Sequence, residues 1–137
     1  GLDVSADAVE RCRLMYAQDP KKTFMVAEDY NAEMAEMAMS LDVVFHLVED
    51  KTYESYMEKL FGAAERLVLI YSSNFEQLCL NPFRSSTHVR HRKFEDWVLK
   101  EAPGWRLKKK ISNPYRLTGA TTPQTHSYAD FYLFFRE

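Results

Sequence analysis

The sequence predicts an α/β domain with a largely parallel sheet, because strand-like and helix-like segments alternate along the chain. Two almost continuously apolar runs, residues 40–47 and 66–71, are typical of parallel strands that are buried on both faces. The last two strand-like segments, residues 105–111 and 128–135, have no helix between them. We therefore expect this final pair to be antiparallel, at the end of a sheet that is otherwise parallel.

The remaining elements follow from caps, breakers and apolar spacing. Residues 1–4 are expected to end a strand, and Ser5 is expected to cap a helix that Asp19-Pro20 stops. Asp50 is expected to cap the helix with the clearest amphipathic pattern. The other predicted elements are a strand at 23–27, a helix at 31–38, a helix around 94–98 that Pro103-Gly104 ends, and loops at 75–87 and 112–127.

Length and composition narrow the class of protein. The 137 residues suit one domain, residues 1–137, and 46% hydrophobic residues make disorder an unfavourable interpretation. A net charge of −2 offers no general attraction to nucleic acid or to an anionic membrane. No apolar run approaches the roughly 20 residues of a membrane span, and no signal peptide is visible. Cys12 and Cys79 lie in no metal-binding spacing, which favours reduced thiols in the cytoplasm.

Acidic residues follow the predicted strands, at the edge where open α/β sheets bind ligands. Asp3 ends the first strand, and its two oxygens suit the adjacent hydroxyls of a ribose; the alternative is that Asp3 only helps to cap the next helix. Glu28 and Asp29 end the next strand. One of them is a candidate acceptor for the amino group of adenine, and the alternative is a pair of solvated loop acids.

Asp42 and His46 lie in the apolar run 40–47. A carboxylate among apolar neighbours is costly unless it is paired, so we expect Asp42 either to face a ligand or to cap backbone amides. His46, at the mouth of the same strand, is a candidate base or substrate contact, and a hydrogen-bonded structural histidine is the alternative.

The segment from His88 to Arg92 carries two histidines and two arginines. His88 and His91 have a spacing that suits a metal only if the segment is helical, and no nearby Cys or Asp completes a ligand set. We therefore predict no metal site, and a substrate-facing or solvated basic segment. The run of lysines at 108–110 is expected on a solvated edge strand. The printed sequence contains no glycine-rich phosphate-binding motif.

Several of these motifs, in this order, resemble class I (Rossmann-like) S-adenosylmethionine-dependent methyltransferases. The segment 1–5, Gly-Leu-Asp-Val-Ser, resembles their second strand and the following turn. Residues 40–50 resemble their fourth-strand motif in a bacterial subgroup. Residues 70–74, 88–92 and 127–131 resemble further signatures of that subgroup. The resemblance covers nearly the whole chain, from the second strand to the seventh.

This resemblance implies a sheet of order 3-2-1-4-5-7-6 in which strand 7 is antiparallel. It implies S-adenosylmethionine as cofactor, with Asp3 on the ribose, Glu28 or Asp29 near the adenine, Asp42 near the methionine end and His46 towards the acceptor. The family's first strand and its glycine-rich loop have no counterpart here. We therefore expect the chain to be a partial methyltransferase domain that lacks the N-terminal strand.

The predicted function is methyl transfer to a small-molecule acceptor. The alternative is a catalytically inactive methyltransferase-like module that binds a partner. A phosphorylation-dependent receiver domain is disfavoured, because no Lys follows the strand at residues 66–71. Since two sheet edges would lie unpaired without the first strand, we expect a homodimer, or dependence on an N-terminal segment supplied from elsewhere.

Overall fold

The computed structural model describes residues 1–76, 88–117 and 126–137. The chain divides into two compact units, Gly1–Glu33 and Met34–Glu137. The single partial domain over residues 1–137 stays a prediction. No helix in these ranges is both long and apolar enough to cross a bilayer.

The first unit is a short strand–helix–strand element. Strands β1 (Leu2–Asp3) and β2 (Met25–Val26) pair in parallel, and helix α1 (Ala6–Met15) lies between them in the chain. The Ser5 hydroxyl accepts a hydrogen bond from the Ala8 amide at 3.3 Å, so the predicted cap is confirmed. A single 3₁₀ turn, Ala27–Asp29, follows β2 and carries two of the candidate site acids.

The second unit contains a four-stranded sheet in the order β3-β4-β6-β5. Strands β3 (Ala35–Leu41) and β4 (Ala64–Ser72) are parallel, whereas β6 (Asp130–Arg136) runs antiparallel to both β4 and β5 (Trp105–Ile111). The prediction of an antiparallel final strand is confirmed. In the numbering of the class I methyltransferase sheet, this order is 4-5-7-6.

Helices α2 (Asp50–Gly62) and α3 (Phe94–Glu101) supply the apolar side chains that cover this sheet. The spacing that predicted α2 places its apolar stripe in the core, as expected for an amphipathic helix. Phe61 lies at its centre and meets Trp105 and Phe134 edge to face, at ring-centroid distances of 5.2 and 5.7 Å. Other fully buried members of this core are Met57, Val68, Ile70, Phe94 and Val98.

The predicted helix at residues 31–38 is wrong. Ala35–Leu41 forms strand β3 instead, and its Met37 and Met39 lie opposite Leu67 and Leu69 of β4 in the parallel ladder. Methionine and alanine favour helices, but propensity is a weak preference that pairing with a neighbouring strand overrides.

The predicted strand at residues 40–47 is also wrong beyond Leu41. Asp42 has a left-handed backbone, with φ of 64°, and Val44–His46 form a 3₁₀ turn. Burial on both faces is not observed either, because Leu41 is 49% exposed and β3 is an edge strand within the described part of the sheet. The predicted cap of α2 is one residue off: Glu49 is the N-cap and makes no side-chain cap bond, while Asp50 is the first residue of the helix.

Candidate functional site

The carboxyl end of β4 carries the polar residues Ser72, Ser73 and Asn74. Ser73 is buried, and its Oγ lies 2.6 Å from Nδ1 of His91. Asn74 is fixed by Glu95, whose backbone amide donates to its Oδ1 at 3.2 Å and whose carboxylate accepts from its Nδ2. Ser72 Oγ is buried with no hydrogen-bond partner among the residues that the structure describes. This strand end therefore holds His91 on a rigid, polar support.

Aromatic rings surround His91. Its imidazole stacks on Phe75 with ring centroids 4.6 Å apart, and it meets Tyr128 edge to face at 5.8 Å. Phe45 lies on a further side, at 6.2 Å. Burial lowers the pKa of His91 below its ordinary value of 6.5, so the imidazole is neutral at neutral pH.

His46, the predicted base, is exposed on the 3₁₀ turn after β3. Its Nδ1 lies 3.2 Å from the carbonyl oxygen of His88, and the two imidazoles stack at 6.2 Å. The ring of Phe45 is 4.6 Å away. The structure thus brings three histidines and three other aromatic residues to one surface, which we call the His–aromatic cluster: Phe45, His46, Phe75, His88, His91 and Tyr128.

The two arginines of the 88–92 segment serve the fold and do not face a substrate. Arg92 is buried and donates to the carbonyl oxygens of Leu47 and Val48, the latter at 2.7 Å, and to Asp50 at 2.9 Å. Arg90 donates to Val48 at 3.0 Å and pairs with Asp50 at 2.8 Å. The hydrogen bond from Arg92 is the main reason that the pKa of Asp50 lies below its ordinary value. The prediction that this basic segment is substrate-facing or solvated is therefore wrong for the buried Arg92, whereas Arg90 is 40% exposed.

No group of three His, Cys, Asp or Glu side chains within residues 1–76, 88–117 and 126–137 has a geometry that would hold a metal ion. The 88–92 segment is neither helix nor strand, so the helical spacing that a metal-binding pair would need is not formed.

Asp42 is exposed and not embedded among apolar side chains as predicted. Strand β3 ends one residue earlier, at Leu41, and the backbone amide of Asp42 donates to the carbonyl oxygen of Tyr71 at 3.1 Å. Aspartate tolerates the left-handed conformation better than most residues, which accounts for its place at this turn. Its carboxylate at the end of β3 is therefore open to a ligand.

The three other predicted cofactor residues lie in the first unit. One oxygen of the exposed Asp3 carboxylate accepts a hydrogen bond from the Ser5 amide at 2.8 Å, which is the capping role that the sequence left as the alternative. Glu28 and Asp29 are exposed on the 3₁₀ turn after β2. All three carboxylates remain accessible to a ligand, and their roles stay predictions.

Sequence reasoning missed Ser73, Phe45 and Tyr128 as members of a site. Ser73 entered the prediction only within residues 70–74, which resemble a signature of the methyltransferase subgroup. The aromatic residues gave no signal because many of the chain's aromatic residues lie in the core. Asp130 was also missed. It is buried at the start of β6, accepts from the Asn113 amide at 2.9 Å and lies 3.3 Å from Lys110, which is exposed on β5 as predicted.

Comparisons with known proteins find a similar fold but no sequence relative: no family model and no curated protein matches the chain. The chain superposes on a magnesium protoporphyrin IX methyltransferase from Synechocystis with bound S-adenosylmethionine, with a TM-score of 0.65 and 15% sequence identity. The match covers 100% of this chain and 58% of the Synechocystis enzyme. An S-adenosylmethionine-dependent methyltransferase from Clostridium acetobutylicum gives a TM-score of 0.63 and 10% identity, covering 98% and 73%.

A third similar structure comes from work on the conversion of a disulfide bond into a thioacetal group during echinomycin biosynthesis. Its TM-score is 0.61 at 18% identity, covering 100% of this chain and 65% of its own. The chain therefore has the fold of the class I S-adenosylmethionine-dependent methyltransferases. It spans 58% of the length of the Synechocystis enzyme.

Proposed function

We propose that this chain forms part of an S-adenosylmethionine-dependent methyltransferase that acts on a small-molecule acceptor. The observation that carries the proposal is the sheet order β3-β4-β6-β5 with β6 antiparallel, preceded by the parallel pair β1 and β2. This arrangement matches the methyltransferase fold in strand order and direction. Magnesium protoporphyrin IX methyltransferase, which shares the fold, binds S-adenosylmethionine and S-adenosylhomocysteine.

The proposed cofactor contacts are the acids that follow β1, β2 and β3. Asp3 accepts the ribose hydroxyls, Glu28 or Asp29 accepts the adenine amino group, and Asp42 lies near the methionine end. Their exposure supports these roles, since a carboxylate that is already buried in protein contacts has no free oxygen for a ligand. The open carboxylate of Asp42 at the end of β3 is the best support within the second unit.

The protein's contribution to methyl transfer is mainly proximity and orientation, because the reaction is an in-line displacement. His46 is the proposed catalytic residue and accepts a proton from an acceptor that must lose one. Its exposed position beyond the carboxyl end of β3 supports contact with such an acceptor. A small acceptor is favoured by the porphyrin that the Synechocystis enzyme methylates and by the link of another similar structure to echinomycin biosynthesis.

Calorimetric titration with S-adenosylhomocysteine tests this proposal. We expect micromolar binding by a version extended upstream with a glycine-rich loop and weaker binding by the 137-residue chain, whose sequence contains no such loop. In the extended version Asp3→Asn should weaken binding, whereas the matched change Asp7→Asn, on the exposed first turn of α1, should leave it unchanged. Failure of the extended version to bind would instead favour a non-catalytic binding module.

A further inference from the structure

We propose that the His–aromatic cluster is the acceptor subsite, and that it takes a planar aromatic compound whose oxygen acceptor receives a hydrogen bond from Nε2 of His91. This inference deepens the proposed function and rests on it, because the bound compound is a methyl acceptor only if the protein transfers methyl groups. The site itself lies entirely within the second unit, beyond the carboxyl ends of β3 and β4, where open α/β sheets bind ligands.

The hydrogen bond between Ser73 and His91 determines which imidazole nitrogen carries the proton. Ser73 is 2% exposed, and within the described ranges its hydroxyl contacts only Nδ1 of His91, at 2.6 Å. A buried hydroxyl that does not donate pays the cost of an unsatisfied group, so Ser73 donates and Nδ1 accepts. The neutral imidazole therefore carries its proton on Nε2, which makes that edge a donor.

The rings around His91 select a flat partner. Phe75 and Tyr128 are 38% and 51% exposed, so their rings contact His91 and each other and also remain accessible to a ligand. The two rings meet edge to face: their centroids are 5.6 Å apart and their planes are inclined at 77°. Offset and edge-to-face contacts between aromatic rings add stability beyond their buried area, so this surface favours an aromatic ring over an aliphatic one of the same size.

The charges nearby argue against an anionic group as the recognised feature. The neighbouring cations Arg90 and Arg92 are both paired with Asp50 and with backbone carbonyls. His91 is neutral at neutral pH because it is half-buried. Among residues 1–76, 88–117 and 126–137, the two arginines beside the cluster are thus already committed, whereas a carbonyl oxygen needs only the single donor that His91 provides.

The test uses 4-hydroxyacetophenone as the probe, with the 137-residue chain and no cofactor. Phenol, which lacks the acetyl carbonyl, and 4-acetylcyclohexanol, which carries the same two substituents on a saturated ring, are the matched ligands. Spectra of ¹⁵N-labelled histidine report the tautomer of His91 and follow each titration. We expect the Nε2–H tautomer and tighter binding of the probe than of phenol, by roughly two- to tenfold, which is the value of one net hydrogen bond.

Two variants separate a binding role from a structural one. His91→Phe keeps a ring against Phe75 and removes the donor, so it should abolish the preference for the probe over phenol. Tyr128→Leu changes an exposed residue and should reduce the preference for the probe over 4-acetylcyclohexanol, even if His91→Phe fails to fold. An Nδ1–H tautomer, equal binding of the three ligands, or unchanged preferences in Tyr128→Leu would overturn the proposal. None of these measurements depends on cofactor binding, so they are independent of the test of the proposed function.

Discussion

Replacing Arg92 by methionine should destabilise the second unit strongly, because this side chain holds the segment that leads into α2. Its side chain is 8% exposed, and its guanidinium donates to two backbone carbonyls and Asp50 and lies 4.6 Å from the centre of the Tyr53 ring. Hydrogen bonds of a charged group contribute about 1.5–3 kcal/mol each. Because Asp50 is largely exposed, only the carbonyl bonds are counted, and the expected loss is about 3 kcal/mol.

Arg90→Met is the matched control. Arg90 bonds to the same Asp50 and to Val48, but its side chain is 40% exposed, so water replaces most of what the change removes. Urea denaturation followed by the fluorescence of Trp97 and Trp105, which both lie in the second unit, gives the two free energies of unfolding. Equal losses for the two variants would show that burial of Arg92 does not stabilise this segment.

Three further predictions concern the site, and one concerns the sheet edge. In a version extended upstream with a glycine-rich loop, Asp3→Ala should weaken S-adenosylhomocysteine binding at least about tenfold while the fold is retained, as measured by calorimetry and circular dichroism. His46→Gln should lower turnover by roughly 10²–10⁴ with unchanged cofactor affinity, once an acceptor is known. Burial lowers the pKa of His91, so as the pH falls the unfolded chain takes up this proton at a higher pH than the folded chain does. The free energy of unfolding should therefore decrease as the pH drops below 6.5. His91→Gln should reduce this pH dependence, as measured by urea denaturation at several pH values. The 137-residue chain should self-associate in light scattering, and Met39→Lys on the exposed edge strand β3 should reduce this.

The parts of the fold that the sequence predicted well are those in which local signals and tertiary packing agree. Ser5 caps α1, and Tyr53, Met57 and Leu60 form the buried stripe of α2, because a helix is specified by capping and by a period that its own residues carry. The antiparallel final pair also followed from the sequence, since two strands without an intervening helix have few other ways to join a sheet.

The incorrect secondary-structure predictions lie around β3, where the backbone conformation is determined by pairing with the neighbouring strand β4. Met37 and Met39 favour a helix locally, and only the pairing with β4 makes them part of a strand. Beyond Leu41 the apolar run continues, but Asp42 turns the chain and the apolar Val44 enters the core from a 3₁₀ turn. An apolar run of this length fits a buried strand, or a shorter strand followed by a buried turn, and periodicity does not distinguish the two.

The 88–92 segment shows how the candidate site depends on contacts that the sequence alone did not reveal. Arg90 and Arg92 reach the segment before α2, while His91, which lies between them in the chain, reaches Ser73. The backbone amide of Arg90 also donates to the carbonyl of Phe45 at 2.8 Å. The arginines therefore fix the register that presents His91 to the end of β4, and the loss of Arg92 should disturb the His–aromatic cluster as well as the stability of the unit.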